Sequence, residues 1–332
     1  MALRSLLVSV PETRYLKFFS RSSIFNTGWP AYSASKYGIV NICVIATAEG
    51  SGVNLIATYH QGQKKMNIKI LGCYGSQLPD RNATAFLLNE KILLDAGTVT
   101  SVLTLEEQIN INYILVTHPH IDHVRDIMFL ADNICYLKKD NPLVILGTQY
   151  IIDALRAYLF NGIIWPDFSV IPSPENPVLK FEVIRPRQKV RIDNLDVTAI
   201  RVHHVVETVG YVVESREGAV IFAGDTGPTD EVWRIANRIE NLKAIFVETS
   251  FPDNMRDIAD MTGHLTPSSL EHELKKLDSR KTDIYLYHMK LQYHQSIQSE
   301  IALIKNRNIH ILKDGQVIQI GSLNKSRPYY DT

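Results

Sequence analysis

The chain is poor in cysteine, carries no net formal charge and has no long apolar run. Each absence removes a class of protein. The three cysteines, Cys43, Cys73 and Cys135, are odd in number, widely spaced and never arranged as CxxC. They read as buried thiols in a reducing compartment, and cysteine is not expected as a metal ligand. Lys and Arg total 35 against 35 Asp and Glu. There is thus no basic field of the kind that draws a protein to nucleic acid without sequence preference. No apolar stretch reaches the roughly 18 residues of a membrane-spanning helix, so no membrane association is expected. Low-complexity tracts and coiled-coil heptads are missing too. A chain of 332 residues that is 45% hydrophobic and 21% charged is globular, with length for one large domain or two medium ones.

Residues 1–65 are acid-poor, with seven Lys/Arg and only Glu12 and Glu49 against them. The start lacks the apolar core and cleavage site of a secretory signal. A cytoplasmic protein is expected, with organellar targeting through this Arg- and Ser-containing start as the alternative. Within the segment, AYSASKYGIV (31–40) resembles the active-site helix of short-chain dehydrogenases, with Tyr32 and Lys36 standing as that family's Tyr-x-x-x-Lys pair. A Gly-rich dinucleotide fingerprint upstream is lacking, so the resemblance implies a non-catalytic fragment. We expect an N-terminal extension at 1–65, a main domain at 66–322 and a frayed tail at 323–332.

From Met66 the pattern changes. Strands are expected at 66–72, 112–117, 189–192, 195–202, 210–214, 219–222, 244–247, 284–287, 309–312 and 317–320, and a hairpin over 85–95. Helical spacing marks 102–109, 124–130, 149–160, 230–239, 267–277 and 295–304, with Thr266 as an N-cap before Pro267. The stretch 161–177, rich in proline and aromatics, reads as a long loop or lid. This order suggests an α/β fold of two sheets packed face to face with helices outside.

The densest chemistry is HPHIDH, His118 to His123, directly after an aliphatic strand. Imidazole and carboxylate are the ligand types that Zn, Mn and Fe accept. Further polar residues follow other strands: His204, Asp225 in AGDTG, Glu248 in VETS, and His288. Strand ends on one side of a sheet converge, so these residues can share a site. Together they supply two divalent ions. His118, His120 and His204 would hold the first, and Asp122, His123 and His288 the second, with Asp225 bridging. Such a pair of ions, roughly 3.5–4 Å apart, can share a hydroxide and clamp both oxygens of a phosphoryl displacement. Zn is the first choice, Mn or Fe the others. His203 adjoins His204, and the residues alone leave the choice between them open; the V-x-H … GY pattern of the hydrolase family that this site resembles favours His204 in VHHVVETVGY.

These motifs resemble the metallo-β-lactamase fold of binuclear hydrolases over about residues 66–322, which implies a four-layer αββα sandwich. HxHxDH with GDTGPT, ETSFP, GHLTP and HMK resembles the class II type of 3′,5′-cyclic-nucleotide phosphodiesterase. Ile121 and Leu291 depart from that pattern. The resemblance implies hydrolysis of a cyclic nucleotide, cyclic AMP or cyclic GMP, to the 5′-monophosphate. Glu248 and His264 also parallel a His–Glu pair of the tRNA 3′-processing endonucleases, which implies that His264 protonates the leaving oxygen. Asp122, Glu248 and His264 are accordingly the expected catalytic groups. RNA processing is the alternative activity. The segment before His204 has no basic arm for tRNA, so a small-molecule substrate is expected and nucleic acid is not. Trp165 and Phe168 could stack on a purine or pack the lid. A homodimer is possible.

Overall fold

The computed structural model describes residues 65–138 and 141–321, together with the backbone of three strands between residues 31 and 61. Contacts divide the chain into two units, Met1–Lys64 and Lys65–Thr332. In the first unit, β1 (Ala31–Ser35), β2 (Gly38–Glu49) and β3 (Gly52–Gln61) form an antiparallel sheet in the order β1-β2-β3. This corrects the helix expected at 31–40. Tyr32 lies on a strand paired with Asn41, and Lys36 is outside the described residues. The run of β-branched residues after Gly38 favours an extended backbone, and its hairpin partner begins at Gly52, paired with Glu49. The tail 323–332 also lies outside the described residues.

The second unit is built on two seven-stranded sheets. Its chain begins with β4 (Met66–Gly72), β5 (Ala85–Leu88), β6 (Ile92–Leu94), α1 (Leu105–Ile109), β7 (Tyr113–Leu115), α2 (Ile121–Val124) and α3 (Asp126–Ile134). It continues with β8 (Leu143–Gly147), α4 (Gln149–Tyr158), the two-residue β9 (Pro172–Ser173) and β10 (Asn176–Pro177), and β11 (Leu179–Val183). The second sheet starts with β12 (Lys189–Ile192), β13 (Leu195–Arg201), β14 (Val209–Glu214) and β15 (Ala219–Phe222). Then come α5 (Glu231–Ala236), β16 (Leu242–Glu248), α6 (Arg256–Thr262), α7 (Pro267–Leu274), β17 (Asp283–Tyr287), α8 (His294–Ile301), β18 (Asn308–Ile311) and β19 (Val317–Ile320). The strand orders are β11-β8-β7-β6-β5-β4-β19 and β12-β13-β14-β15-β16-β17-β18.

Period-two alternation explains why the second sheet is covered on both faces. Ala244, Phe246, Tyr285 and Tyr287 point into the core between the sheets, while Ile245, Val247, Ile284 and Leu286 face a second core under α5, α7 and α8. Phe86 from the first sheet meets Phe222, Phe246 and Tyr287 at ring-centroid distances of 5.5, 5.8 and 5.3 Å, which ties the two sheets together. Such aromatic pairs contribute about 0.5–1.5 kcal/mol each beyond their buried area. Ile127, Leu130 and Ile134 of α3 and Ile151 and Leu155 of α4 cover the outer face of the first sheet. The result is the helix–sheet–sheet–helix sandwich that the sequence implies.

Helix α1 starts at Leu105 and not at 102. The Thr104 hydroxyl accepts the Glu107 N–H, and the Glu107 carboxylate accepts the Thr104 N–H, which fixes the first turn there. Thr266 caps α7 with Pro267 at its first position, as expected.

Candidate metal centre

Loops leaving the ends of six strands meet at one edge of the sandwich. They carry Asp95 after β6, Thr117 to His123 after β7, His204 after β13, Asp225 after β15, Glu248 to Ser250 at the end of β16 and His288 after β17. Gly97 allows the first two to touch. A Cβ there would overlap the carbonyl oxygen of Asp122, so a side chain would displace the HPHIDH loop. Gly263 ends α6 at φ +67° and turns its carbonyl to His204 Nδ1 at 2.9 Å. These glycines thus hold two of the ligand-bearing loops at their observed separation.

Counting protons fixes three of the imidazoles at Nδ1. The Thr117 hydroxyl gives its one proton to Asp95 Oδ2 at 2.8 Å, so His118 Nδ1, 3.0 Å from Thr117 Oγ1, donates to that hydroxyl oxygen. His118 Nε2 is then a bare lone pair, and it is buried without a partner. Asp95 Oδ2 also accepts His123 Nδ1–H at 2.8 Å, and the Gly263 carbonyl accepts His204 Nδ1–H. The Nε2 atoms of His118 and His204 therefore carry lone pairs that face inward, and His123 Nε2 faces inward beside Asp225.

These atoms converge on two small volumes. His204 Nε2 lies 3.4 Å from His120 Nδ1, and His123 Nε2 lies 3.2 Å from His288 Nε2. Asp225 Oδ2 is 3.4 Å from His123 Nε2, 3.2 Å from His288 Nε2 and 3.7 Å from His118 Nε2. Asp122 Oδ2 is 3.3 Å from His288 Nε2. Lone pairs at these separations repel unless a proton or a metal ion lies between them. Donor atoms sharing one divalent ion at about 2.0–2.2 Å stand roughly 3–3.5 Å apart, which is the spacing found. Asp225 Oδ1 is likewise buried with no partner. His118, His120 and His204 form one group that could hold an ion, and Asp122, His123 and His288 another; Asp225 groups with His118 and His123.

The electrostatics agree. Burial lowers the pKa of His118, His120 and His204, so their rings are neutral, as metal ligation requires. Burial would also neutralise Asp225, but His288 and His123 hold its carboxyl well below the usual range. Burial opposes a charge on His123 too, yet Asp225 and Asp95 raise its pKa well above the ordinary value. The position between those carboxylates calls for positive charge. His203, by contrast, is exposed and outside every such group; its backbone N–H donates to Thr226 Oγ1.

Beside this cluster lies a fully buried carboxylate, Glu248, with 0% exposure. It accepts His264 Nδ1–H at 2.6 Å, the Ser250 hydroxyl at 2.8 Å and the Thr226 N–H at 3.2 Å. His264 is 7% exposed. Burial lowers its pKa, but the Glu248 carboxylate outweighs burial and the net shift is upward.

The beta-lactamase superfamily domain profile matches residues 90–289, more than half of the chain. The chain belongs to the beta-lactamase superfamily. Within this superfamily it matches a probable 3′,5′-cyclic-nucleotide phosphodiesterase of Yersinia pestis, 30% identical over 186 residues, which are 51% of this chain and 52% of the relative. The 3′,5′-cyclic-nucleotide phosphodiesterase 1 of Saccharomyces cerevisiae is 27% identical over 242 residues, 60% of this chain and 64% of the relative. A ribonuclease Z of Clostridioides difficile is 26% identical over 195 residues, 55% of this chain and 61% of the relative. The chain thus spans between half and two thirds of the length of these relatives. Among solved structures, unliganded yeast PDE1 superposes with a TM-score of 0.67 at 20% identity, covering 77% of this chain and 99% of that one. The fold is therefore that of the metallo-β-lactamase hydrolases, which implies divalent-metal binding. No helix among the described residues is long and apolar enough to cross a membrane.

Two sequence expectations change. Phe168 is 3% exposed and belongs to the core under α4, so it cannot stack on a ligand. Trp165 packs edge-on against Phe129 at 5.3 Å, and the cavity beside its loop is bounded by Arg156, Phe160, Asp167 and Phe181, with no residue of the His–Asp cluster. The loop is rich in apolar side chains because it closes the end of the first sheet. The sequence also passed over Asp95 and Ser250. A carboxylate at the end of β6 was a visible signal for the first; nothing local distinguished the second.

Proposed function

We propose that this superfamily member hydrolyses 3′,5′-cyclic nucleotides to 5′-monophosphates. The buried Glu248–His264 pair beside two ligand triplets carries the reading. His118, His120 and His204 would hold one divalent ion and Asp122, His123 and His288 a second, with the two oxygens of Asp225 shared between them. Bound there, the ions would activate water at neutral pH and neutralise charge on the phosphoryl oxygens. Asp122 has a side chain 27% exposed where Asp225 has 2%, so it offers an oxygen that can orient the attacking water. Glu248 holds His264 Nδ1, which leaves Nε2 to deliver a proton to O3′ as the P–O3′ bond breaks. A ribose alkoxide is a poor leaving group, and such proton donation contributes typically ~10²–10⁴-fold.

Relatives named as cyclic-nucleotide phosphodiesterases support this substrate, as does the balanced charge of the chain. Relatives named ribonuclease Z support an RNA phosphodiester instead. Protein loaded with Mn or Zn should convert cyclic AMP or cyclic GMP to the 5′-monophosphate and leave precursor tRNA intact. Cleavage of precursor tRNA with both cyclic nucleotides untouched would overturn the proposal.

A further inference from the structure

The Ser250 side chain occupies a junction. Its hydroxyl oxygen is 2.8 Å from Glu248 Oε2, 3.0 Å from His288 Nδ1, 3.2 Å from the His288 carbonyl oxygen and 3.3 Å from His264 Nδ1. The residue is 0% exposed. Its backbone is tied on both sides, with its N–H donating to the Leu265 carbonyl at 3.0 Å and its carbonyl accepting the Lys290 N–H at 3.1 Å. One loop leads into α7 and the other leaves β17, so the hydroxyl is held by the same segments that carry His264 and His288.

The hydroxyl has one proton to give. The carboxylate is both the nearer acceptor and the charged one, so the proton goes to Glu248 Oε2 and not to the His288 carbonyl. Ser250 Oγ then accepts from His288 Nδ1–H. The reverse arrangement would set an oxygen lone pair against the carboxylate at 2.8 Å and place a proton on His288 Nε2. That atom lies 3.2 Å from Asp225 Oδ2 and 3.2 Å from His123 Nε2, where the second triplet needs a lone pair. His288 also sits at φ +64°, a backbone conformation few non-glycine residues adopt. Its N–H donates to the Cys73 carbonyl at 2.7 Å, and Ser250 Oγ lies 3.0 Å from its ring Nδ1.

We infer that Ser250 is a positioning residue that joins the second ligand triplet to the proton-donating pair through one chain, His288 Nδ1–H to Ser250 Oγ–H to Glu248 to His264. It sets the His288 tautomer with Nε2 facing the metal position, and it holds Glu248 in register with His264. The inference rests on the proposed roles of His288 and His264.

Two measurements on the full chain test it without using turnover. In zinc-loaded wild-type protein, ¹⁵N NMR of the imidazoles should show His288 protonated at Nδ1 and bare at Nε2. In Ser250→Ala, chelator competition should show one zinc site weakened by about 10–100-fold, the usual effect of losing a partner that orients a ligand, while the other site keeps its affinity. A bare Nδ1 on His288 in the wild type overturns the inference. So does an alanine variant that melts like the wild type and binds both zinc ions as tightly. If the variant fails to fold, the wild-type tautomer decides alone. If the wild type hydrolyses no phosphodiester while both results hold, the proposed reaction falls and the positioning role stands.

Discussion

Glu248 holds His264 in a carboxylate–imidazole pair 2.6 Å long, with side-chain exposures of 0% and 9%. The pair has little reason to exist for stability, since burying a carboxylate carries a large desolvation penalty that four hydrogen bonds are needed to offset. Under the proposed reaction it would keep a proton on the outer nitrogen of His264.

The demand for that proton depends on the leaving group. His264→Ala should lower turnover of cyclic AMP by about 10²–10⁴-fold. The same variant should cleave bis(p-nitrophenyl) phosphate far less impaired, because nitrophenolate departs without protonation. Metal content should not change. Equal losses on both substrates, or loss of metal, would remove His264 from the proton-donor role.

Asp95 Oδ2 fixes His123 through Nδ1 at 2.8 Å and takes the Thr117 hydroxyl that in turn orients His118. Asp95→Ala should therefore weaken metal binding about 10–100-fold while leaving every proposed ligand in place. Isothermal titration with Mn or Zn reads this directly, and unchanged affinity would refute it.

Stripping the ions should destabilise the fold. Asp122 and Asp225 are then left facing one small volume, with His118 Nε2 and Asp225 Oδ1 buried and unpaired. Chelator treatment should lower Tm, and Zn or Mn should restore it, because ligands that bind only the folded state stabilise it by mass action. A Tm indifferent to chelator would argue against the ligand set.

Far from this centre, Arg187 meets Glu231 through two bonds of 3.1 and 3.0 Å and holds its carboxyl below the usual range, against partial burial. A depressed carboxylate contributes stability above its unfolded pKa, near 4.5, and loses that contribution as pH falls through the lower folded value. Carboxyl NMR should place the Glu231 midpoint below 4.5 in the wild type and move it upward in Arg187→Ala. An unmoved midpoint would mean that the pair is not populated in solution.

Much of the second unit was legible because its strands alternate or run apolar and are followed by polar residues. Burial alternates along the start of β4, Val220–Phe222 and Ala244–Val247 are continuous apolar runs, and Asp225 and Glu248 mark the ends. Strand β8 escaped because a short apolar run such as LVILG cannot be told from buried helix by periodicity alone, and β11 was passed over although LKFEV alternates. Helix α6 escaped for another reason. RDIADMT buries only Ala259, so its apolar spacing is too weak to read. The ligand-type residues were legible as chemistry, since histidines and carboxylates at strand ends have few other uses. Ser250 was not, because its importance lies in partners brought by distant segments, whereas Asp95 was marked by its place at the end of β6. Trp165 and Phe168 were open to two readings because aromatic content alone does not tell which side of a loop faces the core, and Phe168 proved to face it.

The two triplets also draw on both halves of the chain. His120 and His204 are 84 residues apart, and His123 and His288 are 165 apart. Neither triplet closes within one sheet, so the HPHIDH loop alone makes only part of either. Each ion would act as a clasp fastened across the sandwich after both leaves have formed. Refolding from denaturant should therefore capture metal as a late event, and a fragment ending before His204 should bind it weakly however well its own sheet folds.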